Sequence, residues 1–528
     1  MYLSSLLTFV TFAGIWWLYT WRRRTFSLMK KLGIPGPEPN LLWGNMYIIW
    51  KKGLAPTCHD WLQKYGDIVG YFNGIMPGIV LRDANLIEKV FVTNFKSFSG
   101  RQIMVVASKN LPFNKLRLTR LSGEEWRQLR SIVSPAFKKT NVKQTVPMMS
   151  ACTCRFFDIV DELTSRQGSS VELFKPFVDL AADISLRFCA GINSNVQRGD
   201  ERARALVHFA RKNIGQFNGF FLFLFNILPN TPWLHNLVLF VRKMFTRLPS
   251  EEFVEKMRPF IEHRRHRKTV NYCDVLQLLL NSEDEHGRAN GSSDVNTQRS
   301  AGTNSKNYLS MRTETNICLF LTASIDVVAV SLTMTSYLLA KHQLAQMKVR
   351  QEVRAVLKNK KALTFDDVSS LTYLNQVILE SHRLYPPLPG SVRRVAVEDY
   401  CEGDFRIPKG TDVFVPALDI HYDSNLWPEP EKFDPDRFSP ENADSIKPTA
   451  YLPFGLGPRM CIATVLAQTE IALIIAMLVS RYNLELPAEE LANDDNVYTA
   501  TALLGLPRKG LRIKLTRLPD SHPEPGTE

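Results

Sequence analysis

Residues 454–463 read Phe-Gly-Leu-Gly-Pro-Arg-Met-Cys-Ile-Ala, and this stretch constrains the chain more than any other. Gly455 and Gly457 allow a tight turn and a close approach to a flat partner. Pro458 stiffens that turn, and Arg459 sets a permanent cation beside any anionic group held there. Cys461 comes just before an apolar helical run, Ile462 to Val479. A thiol at a helix N-terminus is more readily a thiolate. A thiolate in a glycine-lined loop suits iron in a planar macrocycle, although a lone cysteine in a loop is more often simply buried.

The rest of the chain supplies what such a loop needs. In 528 residues, hydrophobic types make up 45%, ample for a large core. Helical patterns dominate: 124–165, 175–190, 200–216, 311–342, 345–358 and 373–385. Apolar stretches near 68–82, 392–397, 411–416 and 510–515 read as strands, so the fold class is mainly α with minor β. Residues 281–310 are polar and rich in Gly, Ser and Asn, and are expected to form a mobile loop. Eight cysteines without a Cys-x-x-Cys pair point to a reducing compartment.

Met1 to Trp21 carries no charged side chain, and Arg22, Arg23 and Arg24 end the run. Twenty-one helical residues span roughly 30 Å, a bilayer core. Arginines after the apolar run, not before it, read as an uncleaved signal-anchor with the rest of the chain cytoplasmic. Residues 22–40, with Pro35, Pro37 and Pro39, form a basic stop and a stiff hinge. The catalytic domain is expected over 41–515 and a polar tail over 516–528. The sequon at Asn290 would be silent on a cytoplasmic face. Phe217 to Phe245 is either ordinary core or a dip into the membrane surface. Lys+Arg total 65 against 52 for Asp+Glu, but the basic clusters are short and scattered, which argues against nucleic acid as a partner.

The 454–463 string is similar to the haem-binding loop of the cytochrome P-450 family, Phe-x-x-Gly-x-Arg-x-Cys and a small residue, with Ala463 in the last place. Three further stretches resemble that family in its order. Glu380-Ser381-His382-Arg383 matches a Glu-x-x-Arg pair, whose spacing puts both charges on one helix face. Phe433 to Phe438 resembles the segment whose arginine, here Arg437, completes a buried triad. Glu125 to Arg130 resembles the helix that turns Trp126 and Arg130 toward a haem propionate. Arg394 and Arg101 align with further propionate-binding arginines. The resemblance runs from about residue 32 to 515, nearest the microsomal group with vertebrate drug- and steroid-oxidising enzymes and thromboxane synthase.

That resemblance implies a haem b with Cys461 as its axial ligand, and Glu380, Arg383 and Arg437 in structural roles. It implies a cytochrome P-450 monooxygenase in the endoplasmic reticulum membrane, single-pass, oxidising a xenobiotic, steroid or fatty acid. Electrons would come from NADPH through a membrane-bound flavoprotein reductase, with cytochrome b5 as a second donor. Substrate contacts are expected at Phe220, Phe223, Phe320, Ala323, Val327, Leu388 and Leu503.

One departure matters. The family's Ala/Gly-Gly-x-Asp/Glu-Thr-Thr appears as Ala323-Ser324-Ile325-Asp326-Val327-Val328. Valine has nearly the shape of threonine but no hydroxyl to orient a water. Proton supply then falls to Asp326, with Ser324 one turn from Val327 as a substitute hydroxyl. If no group replaces that hydroxyl, oxygen leaks to peroxide. The rival expectation is an isomerase of the thromboxane-synthase kind, acting on an endoperoxide or hydroperoxide that needs no reductase. A haem protein that only binds is a third.

Overall fold

In the computed structural model the described residues are 2–101, 115–215, 249–266, 274–289, 299–358, 362–390, 392–403, 405–493, 496–500 and 504–519, with single positions at 237, 240, 241, 244, 247 and 360. Phe220, Phe223 and Leu503 lie outside them, as do the sequon at Asn290 and nearly all of 217–245.

The long helix Arg299–Lys341 is the spine. It is apolar enough to cross a membrane by composition, yet 72% of its most apolar window is buried inside the protein. Against it pack Phe174–Ala190, Thr372–Leu384 and the carboxy-terminal helix Thr464–Arg481. One large cluster of buried side chains, including Phe156, Phe177, Leu332 and Leu473, runs through all of these layers. The Phe174–Ala190 helix stops where Gly191 turns left-handed at φ 60°. There the Ile192 N–H closes back on the Leu186 carbonyl at 3.1 Å, so the last carbonyls are satisfied.

The minor β part is a four-stranded sheet, with Ile68–Asn73, Met76–Leu81, Asp412–Phe414 and Arg393–Val395 in that spatial order. The first pair is antiparallel, the middle pair parallel and the last antiparallel. Successive strand residues face opposite sides, and this separates two neighbouring cations. Arg393 turns to Asp412, while Arg394 turns toward the central cavity. A three-stranded sheet joins Ser170–Glu172, Arg512–Arg517 and Tyr482–Glu485.

One expectation is corrected. Segment 281–310 is not a loop in its described parts. Residues 281–289 complete the helix Val275–Ala289, and 299–310 begin the long helix. Low apolar content did not prevent this, because ion pairs anchor the edges. Arg265 donates to Glu283 at 3.0 Å and to Ser310 at 2.9 Å. The proline segment, expected as a stiff hinge, packs against the domain. Phe26, Met29 and Ile34 are buried in the cluster over the four-stranded sheet. The Gly70 N–H donates to the Pro35 carbonyl at 2.8 Å, and a Cβ on Gly36 would collide with the Gly70 carbonyl oxygen.

The amino-terminal helix Tyr2–Phe26 runs through all three arginines. Leu6 and the apolar side chains from Phe9 to Tyr19 stand clear of the protein, with Phe9 72% and Trp16 68% exposed. Arg22 instead folds back and donates to the carbonyls of Leu41 and Leu42.

Candidate functional site

The cavity wall begins with the loop ahead of the Thr464–Arg481 helix. Gly455 and Gly457 hold φ near 76° and 72°, a left-handed region that glycine enters without strain. At Gly457 nothing else fits, since an added Cβ would collide with the Phe91 carbonyl oxygen. The turn closes where the Cys461 N–H donates to the Phe454 carbonyl at 2.9 Å, and Thr464 Oγ1 donates to the Cys461 carbonyl at 3.0 Å. The Cys461 side chain opens onto a cavity of about 270 Å³. Enclosure in protein pushes its thiol up, while the Ala463 N–H, Arg130, Thr464 and Arg101 all pull it back toward thiolate.

Arg101, Arg130, Arg394 and Arg459 line the same cavity. Arg394 donates to the carbonyls of Arg393 at 2.8 Å and Leu456 at 2.7 Å, and Arg459 donates to the Leu121 carbonyl. Arg130 donates to the Met460 carbonyl at 3.1 Å. Trp126 is buried between the Phe95 ring, 5.5 Å away, and the Arg459 guanidinium, 4.5 Å from the ring centre. Among the described residues no carboxylate pairs with Arg130, Arg394 or Arg459, and Nε of Arg394 and of Arg459 is buried without a partner. Burial, then the neighbouring cations Arg101 and Arg130, push Arg459 down to about 9. Arg394 is driven well below its usual range by burial, Arg101 and Arg459. Buried like charges with orphaned donors are costly. A flat group with two carboxylates at its edge and a metal facing the Cys461 sulfur would relieve them, so the residues present fit a haem.

The remaining sequence-derived residues divide cleanly. Phe454, Phe320, Ala323, Ser324, Val327 and Leu388 line the cavity. Asp326 does not. Arg211 Nε instead donates to its carboxylate at 2.8 Å. Burial raises the Asp326 carboxyl, and Arg211 pulls it down. Ser324 Oγ donates to the Leu321 carbonyl at 3.2 Å.

Glu380 and Arg383 are fully buried and joined twice, at 2.7 and 2.8 Å. Arg437 stands 3.5 Å from Glu380, an ion pair without a hydrogen bond, and spends a donor on the Glu429 carbonyl. The pair reaches the cysteine loop through His421, which the sequence did not single out. His421 Nε2 accepts from the Leu452 N–H at 2.9 Å, so its Nδ1–H is the donor to the Arg383 carbonyl at 3.0 Å. Phe137, Ile184, Phe188, Ser331, His382 and Glu470 also line the cavity. The i, i+4 spacing of Ile184 and Phe188 marks one helix face, but not which interior it meets.

A family model for cytochrome P450 matches residues 34–515. The chain is 27% identical to cytochrome P450 3A28 of Bos taurus, over 91% of this chain and 90% of that one. It is 29% identical to lithocholate 6-beta-hydroxylase of Mesocricetus auratus, over 89% and 88%. To cytochrome P450 3A12 of Canis lupus familiaris it is 30% identical, over 90% and 89%.

Proposed function

Since the chain belongs to the cytochrome P450 family and is an oxidoreductase of the monooxygenase kind, we propose that it inserts one atom of O₂ into an apolar small molecule, a xenobiotic, steroid or fatty acid. The convergence on one cavity of Cys461 with Arg130, Arg394 and Arg459, cations that no described carboxylate neutralises, carries this reading. Cys461 would hold the haem iron through its sulfur, and Arg459, Arg394, Arg130, Arg101 and Trp126 would hold the propionates by charge-assisted hydrogen bonds and packing. The bound haem supplies dioxygen activation and electron transfer. The protein does the rest. Phe320, Ala323, Val327 and Leu388 give an apolar wall that excludes water and seats the substrate. The Glu380–Arg383 pair, acting through His421, fixes the cysteine loop. Ser324 offers a hydroxyl inside, while Asp326, ion-paired with Arg211, stands outside the cavity lining.

The redox partner is an NADPH-dependent flavoprotein reductase in the same membrane, with cytochrome b5 as a second donor. The basic surface suits acidic partners. The exposed apolar helix Tyr2–Phe26, with arginines at its end, supports a single-pass anchor in the endoplasmic reticulum membrane and a cytoplasmic catalytic domain. A second reading is favoured by one observation. Val327 faces the cavity without a hydroxyl, as in an isomerase of a ready-made endoperoxide.

Two measurements separate these readings. The reduced protein with carbon monoxide should show the red-shifted Soret band of a thiolate-ligated haem; its absence would remove both. Turnover of a prostaglandin endoperoxide without reductase would select the isomerase. NADPH-dependent product formation that requires reductase would select the monooxygenase.

A further inference from the structure

A second set of cations borders the cavity, apart from the four around Cys461. Residues 115–121 cross the long helix at Asn316. The Asn316 side chain accepts from the Leu118 N–H at 2.8 Å and donates to the Leu116 carbonyl at 2.8 Å, so the crossing is pinned. Leu118 and Thr119 form part of the cavity wall. Arg117 and Arg120 flank them, each half-buried. Nε of both guanidiniums and the Thr119 hydroxyl are buried without a partner among the described residues.

This pair is distinct from the propionate set. Arg101 and Arg130 act on Arg459 and on Cys461, and Arg101 and Arg459 act on Arg394. The charges that act on Arg117 and Arg120 are others. Arg117 is near Cys318, a thiol that burial holds neutral, and Arg120 is near Arg117 itself. Burial, then Arg117, pushes Arg120 down to about 9. Among the described residues no carboxylate pairs with either. Glu314, one turn before Cys318, is already committed to Arg258 through hydrogen bonds at 2.9 and 3.1 Å. Two like charges held together with idle donors are costly unless an anion joins them.

We propose that Arg117, Arg120 and the Thr119 hydroxyl bind a carboxylate on the substrate. The preferred substrate is then an apolar molecule with an acid group at one end, of the fatty-acid kind, rather than a neutral steroid. The carboxylate accepts charge-assisted hydrogen bonds from the two guanidiniums and one more from Thr119. Its charge offsets the repulsion between the arginines. The apolar body then runs past Phe320 toward Ala323, both of which line the cavity. Ala323 lies two turns beyond Asn316, about 10 Å along the helix axis. The acid end is held at the crossing, and a carbon remote from it is offered for reaction. This inference deepens the haem-thiolate reading and rests on it, so variants are compared only as full-chain protein that shows the thiolate carbon monoxide band.

The test titrates two probes with the same body, dodecanoate and methyl dodecanoate, at neutral pH and equal free concentration. Binding is read from the spin-state shift of the Soret band. A hydrogen bond to a charged group changes affinity by about tenfold or more, so wild-type protein should bind the acid about tenfold or more tightly than the ester. Arg117→Met and Arg120→Met keep an apolar stem without the charge. Each should weaken dodecanoate by about tenfold and leave the ester unchanged. Arg120→Lys should recover part of the loss. Both methionine variants remove an unpaired cation, so without ligand they should melt no lower than wild type. Equal affinity for acid and ester in wild-type protein, or no binding of dodecanoate, would overturn the proposal. So would a methionine variant that weakens both probes alike. Loss of the thiolate band in the wild-type protein would instead sink the haem-thiolate reading itself.

Discussion

Replacing Glu380 by glutamine should unfold this protein at a measurably lower temperature, and the structure sets the size. Both members of the Glu380–Arg383 pair are 0% exposed and joined by two short hydrogen bonds. Removing the carboxylate charge leaves a buried guanidinium with no counter-ion and with Arg437 close by. Breaking such a pair from one side costs about 3–5 kcal/mol. Unfolding entropy near 2.1 cal/mol/K per residue makes a domain of roughly 480 residues lose about 1 kcal/mol per kelvin. The melting temperature should therefore fall by about 3–5 °C. Arg437→Ala is the internal comparison, because Arg437 sits 3.5 Å from Glu380 without a hydrogen bond. Its fall should be about 1 °C, a loss of about 1 kcal/mol. The assay is thermal unfolding of the full chain in nanodiscs by tryptophan fluorescence, at one scan rate, so that any irreversible loss weighs equally on each variant. The double variant Glu380→Gln with Arg383→Met should recover part of the loss, because no bare charge stays buried. Equal falls for Glu380→Gln and Arg437→Ala, or a Glu380→Gln fall below about 1 °C, would refute the assignment of the buried charge to the Glu380–Arg383 pair.

Other outcomes follow from the same geometry. Glu470 is buried, and burial raises its carboxyl to about 8. It stays protonated when folded and ionises when unfolded, so stability is full below the unfolded value near 4.5 and falls as pH rises toward 8. Glu470→Gln should match wild type at pH 5 and melt higher at pH 8, a gain of a few kcal/mol; parallel melting curves at both pH values would contradict this. Gly457→Ala forces a Cβ onto the Phe91 carbonyl, so purified protein should hold far less haem per chain, read from the Soret to 280 nm ratio. Arg394→Ala removes a cation that burial and its neighbours already depress; haem-free protein should melt no lower than wild type, whereas haem loss to apomyoglobin should quicken. Val327→Thr should lower peroxide release with reductase and NADPH, and unchanged coupling would tell against the need for a hydroxyl there.

What could be read from the chain alone was local. The 454–463 string carried its own reasons, because glycines at left-handed positions, an arginine and a cysteine are needed within ten residues of one another. The Glu380 and Arg383 spacing, the helices and most strands were legible for the same reason: backbone period and turn chemistry act over a few residues. Residues 281–289 and 299–310 were misread because their order comes from Arg265, which is distant in sequence, while the packing of the 22–40 segment was not legible because its partner is a strand near residue 70. Tertiary packing alone brought Arg101, Arg130, Arg394 and Arg459 to one wall. It also placed Arg437 3.5 Å from Glu380, gave His421 its bridge, paired Asp326 with Arg211 and joined Ser331 to His382. Burial and long-range hydrogen bonds depend on which surfaces meet, and no spacing along a chain specifies that.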